Sequence, residues 1–402
     1  MPNDSTPLSL KQKILLSVGV PCVLLLILEG IARLLLLTGV GAAPAAQPVA
    51  LEMPTWMMKD ANAIARAKPS KDALDWLSMF VEGDGYRVRL IPNAHKSVKN
   101  TFSLISADRE RRYEIAANAL GFRGPLVTPE KGPNTFRIVV FGDSSSFGWG
   151  VNAEDSWWML LQQELQKHYP EKTIEVANFA IPGDSSAYGK LIFDTFAPQY
   201  QSDVVILGFG ANDAKDVFTS HTEQVSRFTQ KRSLLKVVAV LQKSALVTLL
   251  KGLLPGSKPS GASSLAAGKS TPSRVRAVSV RDYGRNMITM AQSAEVLGSK
   301  EVIFLGLCTP PSYARKARLG AQKNGFLWLN GQSQLVKLLP HIQKGELYPD
   351  YVERMERAYS DDLKRNELFY VTSDGCHPNE LGHRYVADQL VELLTTAKLI
   401  QN

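Results

Sequence analysis

From residue 136 onward the chain repeats one pattern: a short unbroken apolar run, a turn, then a longer stretch of helical character. The runs are Phe136–Phe141, Ile174–Phe179, Val204–Phe209 and Val302–Leu307, with a weaker one at Leu368–Thr372. They are rich in Val, Ile, Leu and Phe and lack polar alternation, the pattern of parallel strands buried on both faces. The intervening segments are long enough for crossover helices, for example over 155–168 and 185–197, and a helix near 379–397 closes the chain. Such alternation predicts an α/β sheet covered on both faces. In these sheets ligands sit beyond the carboxyl ends of the strands. With 402 residues and a 45% hydrophobic composition, the chain can bury the core this architecture needs.

The amino-terminal part reads differently. Residues 14–38 are nearly all apolar and long enough to cross a hydrocarbon core as a transmembrane helix. Lys11 and Lys13 precede the run, and no charge follows it until Glu52. That asymmetry puts residues 1–13 in the cytoplasm and the rest outside. The expectation is a single-pass anchor in a bacterial inner membrane, with the folded domain in the periplasm or outside the cell. Glu29 and Arg33 interrupt the run four residues apart, on one helical face, where each partly neutralises the other. The small residues Gly41–Ala46 leave a cleaved signal peptide as the competing reading, although the run exceeds a usual signal core of about 7–15 residues. Either reading exports the domain.

Residues 39–56 form an Ala/Pro-rich linker. Residues 57–135 form a lead-in subregion with a candidate strand at Arg112–Ala117 and a turn at Gly121-Phe122-Arg123-Gly124. The main domain spans 136–398, with an insertion at 216–280. Within the insertion, 231–254 has the spacing of an amphipathic helix with a narrow basic stripe, and 255–273 is Pro/Gly/Ser/Ala-rich and flexible in character.

Chemistry concentrates at the ends of the apolar runs. The first runs straight into Gly142-Asp143-Ser144, which projects a serine into the ligand crevice. A second copy, Gly183-Asp184-Ser185, does not directly abut a run. A serine hydroxyl is a poor nucleophile until a base removes its proton. Histidine suits that task, with an unperturbed pKa near 6.5, and a carboxylate must orient the imidazole. Asp374 and His377, three residues apart after the last run, can be presented together by one short loop. Acyl transfer also needs donors aimed at the developing oxyanion. The N–H of Gly183, after the second run, and the amide of Asn212, after the third, are suited to it.

The set Ser144, Gly183, Asn212 and His377 resembles the four blocks of the SGNH (GDSL) hydrolases, and the segment 118–124 with the apolar anchor resembles membrane-anchored bacterial members. The resemblance covers 136–398 and is loose across 214–300 and 311–365. It implies a flavodoxin-like three-layer sandwich around a five-stranded parallel sheet. It also implies that Asp374 completes a triad, with an oxyanion hole made by the N–H groups of Ser144 and Gly183 and the side-chain amide of Asn212. Ser145 stands where the family name has leucine. In that fold the loops carrying Cys308 and Cys376 are neighbours, so the pair forms either a disulfide or two small buried thiols; Cys22 lies apart, in the apolar run.

The expected function is a serine esterase acting on acyl esters, such as O-acetyl groups, of an envelope glycan or lipid. Transfer of the acyl group to an envelope polysaccharide would use the same residues. A catalytically idle glycan-binding scaffold is the reading from another class. The net charge of +8 comes with no dense basic run interleaved with aromatics, so no nucleic-acid partner is expected. Neither a CxxC pair nor a phosphate-binding loop is present, so neither a metal nor a cofactor is expected.

Overall fold

The computed structural model describes residues 17, 19–37, 78–99, 112–229, 274–331, 338, 340–342, 344–351, 353 and 376–400. The linker 39–56, the two insertion segments 231–254 and 255–273, the run Leu368–Thr372 and Asp374 lie outside the described residues. Two compact units are distinguished: Met1–Glu52 with Ser226–Thr271, and Met53–Val225 with Pro272–Asn402.

The first unit contains helix α1 (Val20–Leu37), 18 residues in which Arg33 Nε donates to Glu29 Oε1 at 3.1 Å. At about 1.5 Å per residue it is roughly 27 Å long. Among the described residues, no helix is long and apolar enough to cross a membrane. The ends of the expected span, 14–16 and 38, lie outside the described residues.

In the second unit the lead-in forms two antiparallel pairs: β1 (Phe80–Glu82) with β2 (Val88–Leu90), and β3 (His95–Lys99) with β4 (Arg112–Ala116). Their inward residues Leu90, Val98, Tyr113 and Ile115 share a cluster with Phe147 and Ala180. The main sheet follows with β5 (Thr135–Gly142), β6 (Thr173–Asn178) and β7 (Val204–Gly208). A two-residue antiparallel ladder, β8 (Asp216–Val217) with β9 (Val275–Arg276), joins the two ends of the excursion between them. Strands β10 (Glu301–Gly306) and β11 (Leu327–Asn330) complete the sheet, whose order is β11-β10-β7-β5-β6, all parallel.

Along each central strand, successive side chains point to opposite faces. Val139 and Phe141, Val205 and Leu207, and Val302 and Phe304 belong to one core. Ile138 and Val140, Val204 and Ile206, and Ile303 and Leu305 belong to the other. Helices cover both. On the second face, α3 (Trp157–His168) buries Trp157, Leu161 and Leu165 at four-residue spacing, beside the last helix (Glu380–Thr396) with Leu381, Tyr385, Leu390 and Leu394. Burying each such side chain contributes about 1.5–3 kcal/mol.

Among the described residues the fifth strand is Leu327–Asn330 at the sheet edge, which the sequence pattern did not single out; Leu368–Thr372, which it did, lies outside the described residues. An edge strand has one neighbour, and all four residues of β11 are only partly buried. It therefore lacks the continuous apolar signature of a central strand. Strand order reverses between β5 and β7, and at such a switch point the carboxyl ends open a crevice.

Candidate active site

Ser144 begins a four-residue helix, α2 (Ser144–Phe147), directly after β5. The cap is Asp143, whose carboxylate accepts from Ser145 N at 3.0 Å. Glycine is required at 142: an added Cβ would lie 2.4 Å from Ser146 Oγ and 2.7 Å from the Gly208 carbonyl oxygen. Strands β5 and β7 can therefore continue side by side into the turn, where Asp143 N donates to Gly208 O at 3.0 Å. Burial pushes the Asp143 carboxyl up to about 7, against the Ser145 N–H that favours its charged form.

His377 comes from the far end of the chain. Asn379 caps the last helix by accepting from Gly382 N at 3.0 Å, which fixes where that helix starts and so where His377 stands two residues before. His377 Nε2 and Ser144 Oγ are 2.8 Å apart. Cys376, the residue before the imidazole, is tied twice. Cys376 forms a disulfide with Cys308, just beyond β10, with Cα atoms 4.7 Å apart. The Ser145 hydroxyl donates to the Cys376 carbonyl at 3.4 Å. Of the two states left open for these cysteines, the bonded one is realised.

Gly183 lies in the turn after β6 at φ +82, a left-handed conformation that favours glycine. The Asn212 side chain is buried after β7, and its Nδ2 donates to the Asp184 carbonyl at 3.0 Å. An amide nitrogen carries two hydrogens, so one remains for a second acceptor. Asp213 beside it accepts from Ser186 N and Oγ, and burial pushes its carboxyl up to about 7. Among the described residues, no three His, Cys, Asp or Glu side chains gather to hold a metal ion.

The second Gly-Asp-Ser copy also faces a histidine. Ser185 Oγ and His221 Nδ1 are 3.0 Å apart, but Ser185 is 0% exposed against 9% for Ser144. Burial, then the charges of Arg87 and Lys215, lower the His221 pKa to about 4, so its imidazole is neutral at neutral pH.

Three residues at the site escaped the sequence pattern. Arg123, in the Gly121–Gly124 turn, is fully buried. Its Nη1 donates to the carbonyls of Phe147 (3.2 Å) and Gly148 (2.5 Å), and its Nη2 to those of Glu114 (2.9 Å) and Val151 (2.6 Å). It joins lead-in strand β4 to the end of α2 and the loop that follows it. Trp149, in that loop, has its ring centroid 6.3 Å from that of His377 and meets Tyr113 edge-on at 6.0 Å. Arg87, just before β2, reaches the Gly183 turn. Only the paired glycines around Arg123 offered a signal, and they read as a turn.

Residues 140–324 match the family described as GDSL-like Lipase/Acylhydrolase. His377, beyond that stretch, is joined to it by the geometry. An arylesterase of Vibrio mimicus is 35% identical over 77 residues, 19% of this chain. The match spans 38% of that relative's length. Among solved structures, TesA is 17% identical with a TM-score of 0.36, covering 65% of this chain and 98% of its own. The acetylxylan esterase Axe2 of Geobacillus stearothermophilus is 15% identical with a TM-score of 0.36, covering 66% and 94%.

Proposed function

We propose that this chain, whose residues 140–324 match the GDSL-like lipase/acylhydrolase family, is a serine-dependent carboxylic ester hydrolase. The observation that carries the reading is the 2.8 Å separation of Ser144 Oγ and His377 Nε2, spanning 233 residues of sequence. His377 takes the hydroxyl proton as Ser144 attacks the acyl carbon. The developing oxyanion is received by the N–H groups of Ser144 and Gly183 and the second amide hydrogen of Asn212. His377 then returns the proton to the departing alcohol, and water releases the acyl group by the same route. Asp374 fills the orienting role that this chemistry requires.

The substrate in this reading is an acyl ester, of the O-acetyl kind, on an envelope glycan or lipid. The domain works outside the cytoplasm, held by the apolar segment 14–38 in the inner membrane. The basic residues before that segment support this orientation. So does the Cys308–Cys376 disulfide, since such bonds persist in oxidising compartments.

A fluorophosphonate probe tests the chemistry. It should label wild-type protein at Ser144 and leave Ser144→Ala unmodified, and an unlabelled wild type would favour the idle scaffold. A panel of acetylated sugars and longer acyl esters then identifies the acyl group. Acetyl appearing on an added glycan instead of in water would establish transfer. Recovery of the full chain in the soluble fraction after cell lysis would overturn the anchor.

A further inference from the structure

We infer that Arg87, from the lead-in hairpin, is a positioning residue of the oxyanion hole; this rests on the esterase reading above. Its guanidinium holds both neighbours of Gly183. Nε and Nη2 approach Asp184 Oδ1 at 2.7 and 2.6 Å, and Nη2 donates to the Pro182 carbonyl at 3.1 Å. A Cβ placed on Gly183 would lie 3.3 Å from Nη2, so the guanidinium abuts the backbone whose N–H serves the oxyanion.

The grip extends to the third donor. The carbonyl of Asp184 accepts from Asn212 Nδ2 at 3.0 Å and so sets the direction of that amide. One side chain thereby fixes a turn that supplies one donor and orients another. Arg87 is itself held in place. Its charged group sits 5.0 Å from the centre of the Tyr188 ring, and Tyr188 Oη donates to Gln224 Oε1 at 2.7 Å. The Arg87 side chain is 12% exposed and Asp184 is fully buried.

Donors contribute to rate only when aimed before the charge develops. A turn built on Pro182, Gly183 and Asp184 has little packing of its own at the glycine, so its geometry depends on what grips it. Arginine suits this role: a planar fork with several N–H groups can hold a carboxylate and a carbonyl at once, where lysine offers a single point charge. The main domain therefore depends on a residue that precedes it by about fifty positions.

The test compares wild type, R87K, R87A, N212A and R87A/N212A in the full chain. The readouts are thermal unfolding and the kcat and KM of p-nitrophenyl acetate. R87K and R87A should lower kcat by about 10–100-fold, less than the 10²–10³ typical of deleting a donor, with KM within about threefold. Loss in R87A/N212A should be smaller than the product of the single losses, because both act through one hole. Millimolar guanidinium should restore part of the R87A rate. Should R87A fail to fold, R87K carries the test. A folded R87K with wild-type kcat overturns the inference, as do fully multiplicative losses unmoved by guanidinium. An inactive, unlabelled wild type instead overturns the esterase reading and this inference with it.

Discussion

The two Gly-Asp-Ser turns of this molecule make a natural experiment. Both put a buried aspartate before a serine, both open a helix, and both place a histidine nitrogen within 3.0 Å of the serine oxygen. They differ in their surroundings. The first leaves β5 without an intervening residue, at the switch point of the sheet, and its histidine arrives on a loop beside the crevice. The second sits five residues past β6, with its serine fully sealed and its aspartate engaged by Arg87. A serine–histidine contact therefore marks a nucleophile only where a substrate can reach it. Elsewhere the same contact is one of the satisfied polar groups that packing requires.

The comparison breaks most simply at the serines. Ser144→Ala should abolish probe labelling and cut kcat by on the order of 10⁴–10⁶. Ser185→Ala should leave kcat within a few-fold and cost about 1 kcal/mol of stability for the lost hydrogen bond. Equal kinetic losses would make the turns equivalent and the contrast void. The next effect concerns how the first pair is braced. Cys308→Ser with Cys376→Ser opens a loop of 68 residues, and the chain-entropy estimate for that length is roughly 4 kcal/mol. A lowered unfolding midpoint should come with a reduced kcat, because the tie adjoins His377. Unchanged kcat at unchanged KM would show that Ser145 and the Asn379 cap suffice to hold the loop.

Asn212→Ala should cost 10²–10³ in kcat, or about 3–4 kcal/mol of barrier, while the domain stays folded. Rates within threefold of wild type would remove Asn212 from the oxyanion hole. The last contrast belongs to the second pair and shows in pH. In the unfolded chain His221 binds a proton below about 6.5, but in the folded chain not until about 4. Between those values the unfolded state binds more protons, so this group lowers stability as pH falls from 6.5 towards 4. His221→Gln should lose that contribution. Its midpoint, relative to wild type, should rise over that window, and parallel curves would show that His221 is not held neutral.

These contrasts also show what a linear chain reveals. Strands β5, β6, β7 and β10 were legible to within a residue or two, because a strand buried on both faces must be apolar throughout. The helices Trp157–His168, Ser186–Phe196 and Glu380–Thr396 were legible as the stretches between and after those strands that are long enough for crossovers. The edge strand Leu327–Asn330 was not, since its half-exposed residues carry no continuous signal. At the site, Ser144 and His377 were readable because their chemistry demands particular side chains after particular strands, and the structure places them in contact. Arg87 and Arg123 were not readable. Each acts by reaching main-chain carbonyls far along the sequence, and any arginine in a turn looks the same until the fold brings those oxygens to it.

The four carbonyl oxygens gathered by Arg123 carry a lesson for dissecting such proteins. They come from β4, from the end of α2 and from the loop that follows it, so the boundary between the lead-in and the sheet has no clean place to cut. A fragment trimmed to the recognisable stretch would leave the carbonyls of Phe147, Gly148 and Val151 without the cation they share, and would forfeit the imidazole at the far end as well. The smallest autonomous piece is accordingly much longer than the stretch by which its relatives are recognised.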